Sequence, residues 1–271
     1  MSKRIAFIGG GNMASAIISG LIKQGLPPDM IDVVEPFPEA RDKLQSSLGI
    51  TAHPQAGAFL MDAALVVWAV KPQTFREAAL AVAPHVLGGL HLSVAAGIRS
   101  DSIAAWLGSD RIVRAMPNTP ALIGQGIAGL YARASVAAND KAFVEEVMAT
   151  TGLSLWLETE DQLDVVTALS GSGPAYVFYF MEAMTMAGTE MGLSREQAQQ
   201  LAIATFAGAS ALASSSSESP QALRQRVTSK GGTTFAAISS MEDNDVRALF
   251  IDAMYAARER ARELGDEFGK A

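Results

Sequence analysis

Three consecutive glycines between a short apolar run and a helical segment restrict this chain more than any other feature. Residues 4–8 read Arg-Ile-Ala-Phe-Ile, with the length and composition of a buried strand, and Gly9-Gly10-Gly11-Asn12-Met13-Ala14 follows at once. In the spacing Gly-x-Gly-x-x-Ala, Gly9 permits a tight turn, Gly11 lets a diphosphate approach the backbone, and small Ala14 lets the helix pack close to the strand. The helix start adds free N–H groups and a partial positive charge. A plain glycine turn would share these letters. The position at the head of an alternating β/α region is what points to a dinucleotide.

That alternation runs through the first half of the chain. Strands are expected over 4–8, 31–35, 65–70, 91–95 and 111–115, with helices over 14–24, 38–48, 74–86 and 100–107 between them. Segments 126–131 and 154–158 extend the sheet, separated by a helix over 139–151. The pattern predicts an α/β fold: an N-terminal, Rossmann-like, doubly wound parallel sheet over residues 1–160. From 161 to 271 β-branched runs vanish, and helices are expected over 175–191, 194–213, 220–227 and 244–264, which makes an all-α C-terminal domain. The first of these is apolar nearly all round: Ala175, Val177, Phe178, Phe180, Met181, Met184, Met186 and Met191 do not fit one core stripe. Such a helix is either the centre of a monomeric bundle or part of a subunit interface. The interface is favoured, because residues 161–271 hold too little material to cover both of its faces.

Composition narrows the function classes. Forty-nine per cent hydrophobic and 18% charged residues suit a packed globular protein. A net charge of -7 and the absence of a Lys/Arg run argue against nucleic acid and anionic membrane as partners. The chain has no cysteine, so disulfides, thiolate nucleophiles and cysteine–metal sites are excluded. Residues 3–8 begin like a signal peptide, but the glycines end the apolar run, and the longest apolar stretch, 63–70, has only a strand's length. A soluble cytoplasmic enzyme with no metal is expected.

Further candidates lie along both halves. Glu35, at the end of the second strand and 24 residues past Gly11, stands near where an acid accepts hydrogen bonds from the adenosine ribose. It would repel a 2′-phosphate, which makes NADH usable, while Arg41 offers a cation to that phosphate; alternatively Glu35 points to solvent. The strand over 65–70 ends at Lys71-Pro72, at the sheet edge where ligands bind, so Lys71 either caps a loop or lines the cofactor ribose with its backbone. Two later segments combine glycines with polar residues at expected helix starts. One is Leu169-Ser170-Gly171-Ser172-Gly173-Pro174-Ala175-Tyr176, with Pro174 in the first helical turn and Ser172 or Gly173 as the cap. The other is Val227-Thr228-Ser229-Lys230-Gly231-Gly232-Thr233-Thr234, leading into 235–241. Each is suited to hold a carboxylate on unpaired backbone N–H groups. The three histidines, His53, His85 and His91, lie away from all these motifs and read as structural. The run Ser214-Ser215-Ser216-Ser217-Glu218-Ser219 reads as an exposed helix connection, with a mobile flap as the second possibility.

The motifs Phe7–Ala14, Ala69-Val70-Lys71-Pro72, Arg114-Ala115-Met116-Pro117-Asn118-Thr119-Pro120, 169–176 and 220–234 occur in the order found in pyrroline-5-carboxylate reductases, and the chain resembles that family over essentially its whole length. The resemblance implies reduction of a cyclic imino acid, 1-pyrroline-5-carboxylate, to L-proline with NADP(H) or NAD(H), the last step of proline biosynthesis. It also implies a homodimer formed by the C-terminal helices, with dimers able to assemble into a ring. Carried over by position, Ile8, Gly9, Gly10, Gly11, Asn12 and Met13 together with Ala69, Val70, Lys71 and Pro72 line the cofactor. Gly231, Gly232, Thr233 and Thr234 hold the substrate carboxylate, and the Thr234 hydroxyl stands near the ring nitrogen as the one catalytic residue. The chain departs from the family pattern at Lys230, where proline is usual, and at Glu35, where NADPH-preferring members have small or basic residues.

Two rivals share parts of this pattern. A β-hydroxyacid dehydrogenase would need a lysine acid on the helix after the glycine-rich loop, and residues 175–191 contain none. A non-catalytic dinucleotide-binding regulator would have no use for the Gly231–Thr234 turn.

Overall fold

The computed structural model describes residues 3–269, which divide by contacts into two compact units. The first runs to residue 172 and takes up the chain again from 257; the second is Gly173–Ala256.

In the first unit the order is β1 (Ile5–Ile8), α1 (Asn12–Lys23), β2 (Ile31–Val34), α2 (Pro38–Leu48), β3 (Ala52–His53), β4 (Leu65–Trp68), α3 (Pro72–Val82), β5 (Leu90–Ser93), α4 (Ser100–Leu107), β6 (Ile112–Met116), β7 (Gly126–Ala132), α5 (Ala138–Met148), β8 (Gly152–Trp156) and α6 (Gln162–Val166). Among the described residues the strands form one sheet in the order β3-β2-β1-β4-β5-β6-β7-β8. Side chains alternate across it: Ile5, Phe7, Leu65 and Val67 pack with Ile17, Ile18 and Leu21 of α1 on one face. Ala6, Ile8, Val66 and Trp68 pack with Phe75, Ile103 and Trp106 of α3 and α4 on the other. Strands covered on both faces read as continuous apolar runs, as β1 and β4 do, whereas β2 carries Asp32 among its apolar residues.

The sheet departs from the all-parallel expectation at one pair, β6 and β7, which are antiparallel. Only residues 117–125 join them, fewer than the roughly dozen that a parallel crossover needs. α5 then supplies a crossover, and β8 is parallel to β7. β3 was not anticipated, because two residues carry no periodicity. The helix expected over 14–24 begins at Asn12, which makes Gly11 its N-cap.

A buried polar network ties the end of this unit to its middle. Glu160 accepts from the Ser100 backbone N–H (2.6 Å), the Ser100 hydroxyl (2.7 Å) and the Arg114 guanidinium (2.7 Å). The carboxylate therefore caps α4 from a distant part of the chain and neutralises a buried arginine.

α6, a helix the sequence pattern does not announce, does not end in a loop. It widens into a π turn over Thr167–Gly171, in which the Ser172 N–H donates to Thr167 O (2.8 Å), and the chain runs on into the second unit. The helices there are α7 (Gly173–Glu190), α8 (Arg195–Ser215), α9 (Pro220–Arg226), α10 (Thr233–Asp243) and the first part of α11 (Val246–Phe268). Gly188 of α7 lies against Ala198 of α8, and Phe250 of α11 packs edge-on against Tyr176 and Phe180. Much apolar surface remains uncovered: Phe178, Met186 and Met191 of α7 and its end are 57%, 64% and 80% exposed, and Leu201, Ile203 and Leu212 of α8 are exposed as well. The serine run continues α8 through Ser215, and Ser219 caps α9 by accepting from Ala222 N–H (3.2 Å). Among the described residues no helix is long and apolar enough to cross a membrane.

His91 sits inside the first unit, 1% exposed, and its Nδ1 accepts from the Trp68 indole (3.3 Å). Burial, aided by nearby Arg111, pushes its imidazole down to about 4 from an ordinary 6.5. The unfolded chain therefore binds the proton first as pH falls. The stability that neutral His91 contributes is full above pH 6.5 and is lost progressively towards pH 4, about 3 kcal/mol in all. Denaturant titrations at pH 7.5 and pH 4.5 should show this loss, and His91→Asn, which keeps an acceptor for Trp68, should show a clearly smaller one.

Candidate active site

The sheet order reverses between β1 and β4, and the carboxyl ends of β1, β2 and β4 converge there. Gly9 makes the turn out of β1 with φ of +95°, and its N–H donates to Val34 O (2.8 Å). A Cβ on Gly9 would stand 2.6 Å from Ala69 O and 3.1 Å from Val70 Cγ1. The end of β4 therefore lies directly against the glycine turn, and only glycine fits between. This contact brings Ile8–Met13 and Ala69–Pro72 together, as the sequence expects. Lys71 is the N-cap of α3, and its carbonyl accepts from Thr74 N–H (3.1 Å) and the Thr74 hydroxyl (3.2 Å), so its backbone is held at this edge while its side chain is exposed.

Gly11 has no such internal reason to be glycine. Its φ of -69° suits any residue, and an added Cβ would meet nothing within 4 Å. It is the N-cap of α1 without a side-chain cap, and the first helical bond is Ser15 N–H to Gly11 O (2.9 Å), so the amides of 12–14 precede it. An open, uncapped helix start with room above it fits the diphosphate of a dinucleotide. Glu35 lies beside this loop, but turned inward: its Oε2 accepts from Gly10 N–H (2.8 Å) and its Oε1 from Phe37 N–H (3.0 Å).

In the helical unit the turn before α10 is the counterpart. Gly231 has φ of +77°, Gly232 N–H donates to Ser229 O (3.0 Å), and Gly232 is the N-cap of α10 with no side-chain cap. The other clear helix starts of this unit are closed by serines: Ser194 forms a capping box with Gln197 on α8, and Ser219 caps α9. The first-turn amides of α10 are thus left for an outside acceptor, with the half-buried Thr234 on the same turn and Lys230 exposed beside it.

The Ser172–Pro174 segment corrects one expectation. It is not an open helix start with Ser172 or Gly173 as cap, because the Ser172 N–H is already bonded inside the π turn. Pro174 explains the geometry: its ring excludes the carbonyl four residues back and its nitrogen donates nothing, so the preceding turn widens. The segment instead joins a motif to which the sequence reading gave no role. Asn118 donates from Nδ2 to the Ser170 hydroxyl (3.1 Å) and accepts from Ile127 N–H (3.1 Å), and Gly171 packs on the Met116 methyl group. The Asn-Thr-Pro letters at 118–120 signalled a turn but not this partner.

The two glycines separate folding from binding. Gly9→Ala should lower thermal stability markedly, whereas Gly11→Ala should leave the melting temperature within a degree or two and weaken dinucleotide binding about tenfold or more. Calorimetric melts and coenzyme fluorescence titrations of both variants check this. Equal effects of the two on stability would contradict it.

Comparison with known proteins agrees with this architecture. Residues 160–264 match the family model for pyrroline-5-carboxylate reductase dimerisation, and residues 4–97 match that for coenzyme F420-dependent NADP oxidoreductases. The pyrroline-5-carboxylate reductase of Pseudomonas aeruginosa is 46% identical over 98% of both chains, and that of Haemophilus influenzae 39% identical over 97% of both. Among solved structures, the Coxiella burnetii enzyme superposes with a TM-score of 0.91 at 39% identity, covering 97% of this chain and 99% of that one. The Plasmodium falciparum enzyme with NADP bound gives 0.86 at 27% identity, covering 97% and 98%. With a glycine turn and an open helix start at a sheet switch point, an uncapped turn in a helical unit, and relatives this similar along the whole chain, the protein belongs to the pyrroline-5-carboxylate reductase family.

Proposed function

We infer that the chain reduces 1-pyrroline-5-carboxylate to L-proline with NADPH or NADH, the last step of proline biosynthesis. The observation that carries the reading is Gly11, a glycine that the folded chain itself does not require and that an approaching diphosphate does. When bound, the reduced nicotinamide supplies the hydride. The protein's part is positioning. The amides at the start of α1 hold the diphosphate, and the backbone of Ala69–Pro72 lines the adjoining part of the coenzyme. In the helical domain, taken as residues 161–271, the amides of Gly231–Thr234 hold the substrate carboxylate, and 172–174 line the substrate.

Fixing the carboxylate sets which face of the ring meets the hydride. The imine nitrogen takes a proton, the hydride bonds to the imine carbon, and the C=N π pair moves onto nitrogen to give the secondary amine. A protonated imine is already electrophilic, so Thr234 has only to orient the nitrogen or relay a proton from water. The uncovered apolar faces of α7 and α8 support a homodimer through the C-terminal helices, and the extent of that surface supports assembly of dimers into a ring. We place the enzyme in the cytoplasm, where reduced pyridine nucleotides are supplied.

Steady-state oxidation of NADPH and of NADH with 1-pyrroline-5-carboxylate, with L-proline measured as product, tests the reading; absence of proline would end it. Thr234→Ala should lower kcat about a hundredfold and leave coenzyme dissociation constants within about twofold. Unchanged kcat would remove the role of Thr234.

A further inference from the structure

We infer that Glu35 is a positioning residue that braces the dinucleotide loop through Gly10, and that discrimination between NADPH and NADH falls to Arg41. The inference rests on the reading of residues 8–13 as the coenzyme cradle.

Three successive glycines form the most flexible tripeptide a chain can contain, so a loop of this kind binds tightly only if each peptide is tethered. Two of the tethers are backbone to backbone: Gly9 N–H to Val34 O (2.8 Å), and Ser15 N–H to Gly11 O (2.9 Å). The middle glycine is held by a side chain. Glu35 is 6% exposed, and its two oxygens bridge two loops, Oε2 to Gly10 N–H (2.8 Å) after β1 and Oε1 to Phe37 N–H (3.0 Å) after β2. Gly10 is matched to this brace, because a Cβ there would stand 2.6 Å from Leu44 Cδ1 and 3.3 Å from Glu35 Oε2 and would push the carboxylate away. The brace turns the Gly10 N–H towards β2 and leaves the amides at the start of α1 for the diphosphate.

An acid at the end of β2 ordinarily reads the ribose hydroxyls and opposes a 2′-phosphate. Here both carboxylate oxygens are engaged by charge-assisted bonds to backbone N–H groups, which offset its charge. The group beside it is cationic. Arg41 Nη1 donates to Glu35 O (2.9 Å) and to Pro36 O (2.8 Å), so the guanidinium is clamped by two carbonyls of the loop after β2. Its Nε and Nη2 have no partner among the described residues. A guanidinium fixed at this point offers a phosphate two donors and a charge, and offers a hydroxyl little. The phosphorylated coenzyme is therefore the preferred one.

The test is a fluorescence titration of NADPH and NADH on the full chain and its variants, with a thermal melt of each. Glu35→Gln keeps the volume but offers one acceptor and one donor to two N–H groups, so one tether is lost. Both dissociation constants should rise by a similar factor, about tenfold, and their ratio should stay within about threefold. Arg41→Met should weaken NADPH about tenfold or more and leave NADH within about twofold. A Glu35→Gln protein that loses NADH selectively, or binds both coenzymes unchanged, overturns the brace. An Arg41→Met protein that weakens both equally overturns the selector. Should Glu35→Gln fail to fold, Glu35→Asp carries the same test, since its carboxylate, one methylene shorter, reaches only one of the two amides. If the unaltered chain binds neither coenzyme, it is the reading of the cradle that fails, and the inference falls with it.

Discussion

The contact between the glycine turn after β1 and the carbonyl of Ala69 at the end of β4 is the constraint from which the rest of the coenzyme site follows. Because Gly9 lies where no Cβ fits, the chain can turn sharply out of β1 and enter α1 after only the three glycines 9–11. The start of α1 is thereby fixed over the point where the strand order reverses, and its unbonded amides face the crevice that such a reversal opens. β2 contributes twice, through Val34 O on Gly9 and through Glu35, the next residue, on Gly10. The three glycines are thus held by Val34 O, by Glu35 and, through Ser15 N–H, by α1 itself, and a sequence that would otherwise be the loosest part of the chain is tethered at each residue.

The helical unit obeys a different constraint. Its helices leave large apolar side chains in water, and almost everything it buries is small, namely Gly188, Ala198 and Ala202. Close helix contact through small residues turns the long side chains outward, as in Phe178, Met186 and Leu201. A unit built in this way is not stable as an isolated surface, and the match of residues 160–264 to a dimerisation family is what that surface chemistry requires. Within the same unit the serine-capped starts of α8 and α9 contrast with the glycine start of α10, where no side chain caps the first-turn amides.

Much of this was legible in the sequence, for physical reasons that can be named. The buried parallel strands announce themselves as apolar runs, and the glycine spacing after the first of them announces the tight turn into α1. Short-range pattern does not carry long-range pairing, however. Nothing local in residues 126–132 states that β7 runs against β6; the shortness of the 117–125 link does, once both strands are known. The Ser-Gly-Pro letters at 172–174 suggest a helix cap, whereas the helix was already under way and Pro174 only widened it. The distance of Glu35 from Gly11 suggests an acceptor for a ribose or an acid facing solvent, whereas its two backbone partners, Gly10 and Phe37, are set by how the loops after β1 and β2 pack and are invisible in one dimension. The same holds for Glu160 on Ser100 and Asn118 on Ser170, pairs that are distant in sequence.

The central claim is that two uncapped helix starts, at α1 and α10, hold the diphosphate and the substrate carboxylate. Amide hydrogen exchange on the intact enzyme addresses both at once. NADPH alone should slow exchange over residues 10–15, and further addition of a saturating cyclic amino acid such as L-proline should slow it over residues 231–235. Unaltered exchange over 231–235 under those conditions, or coenzyme protection that bypasses the start of α1, would contradict the account.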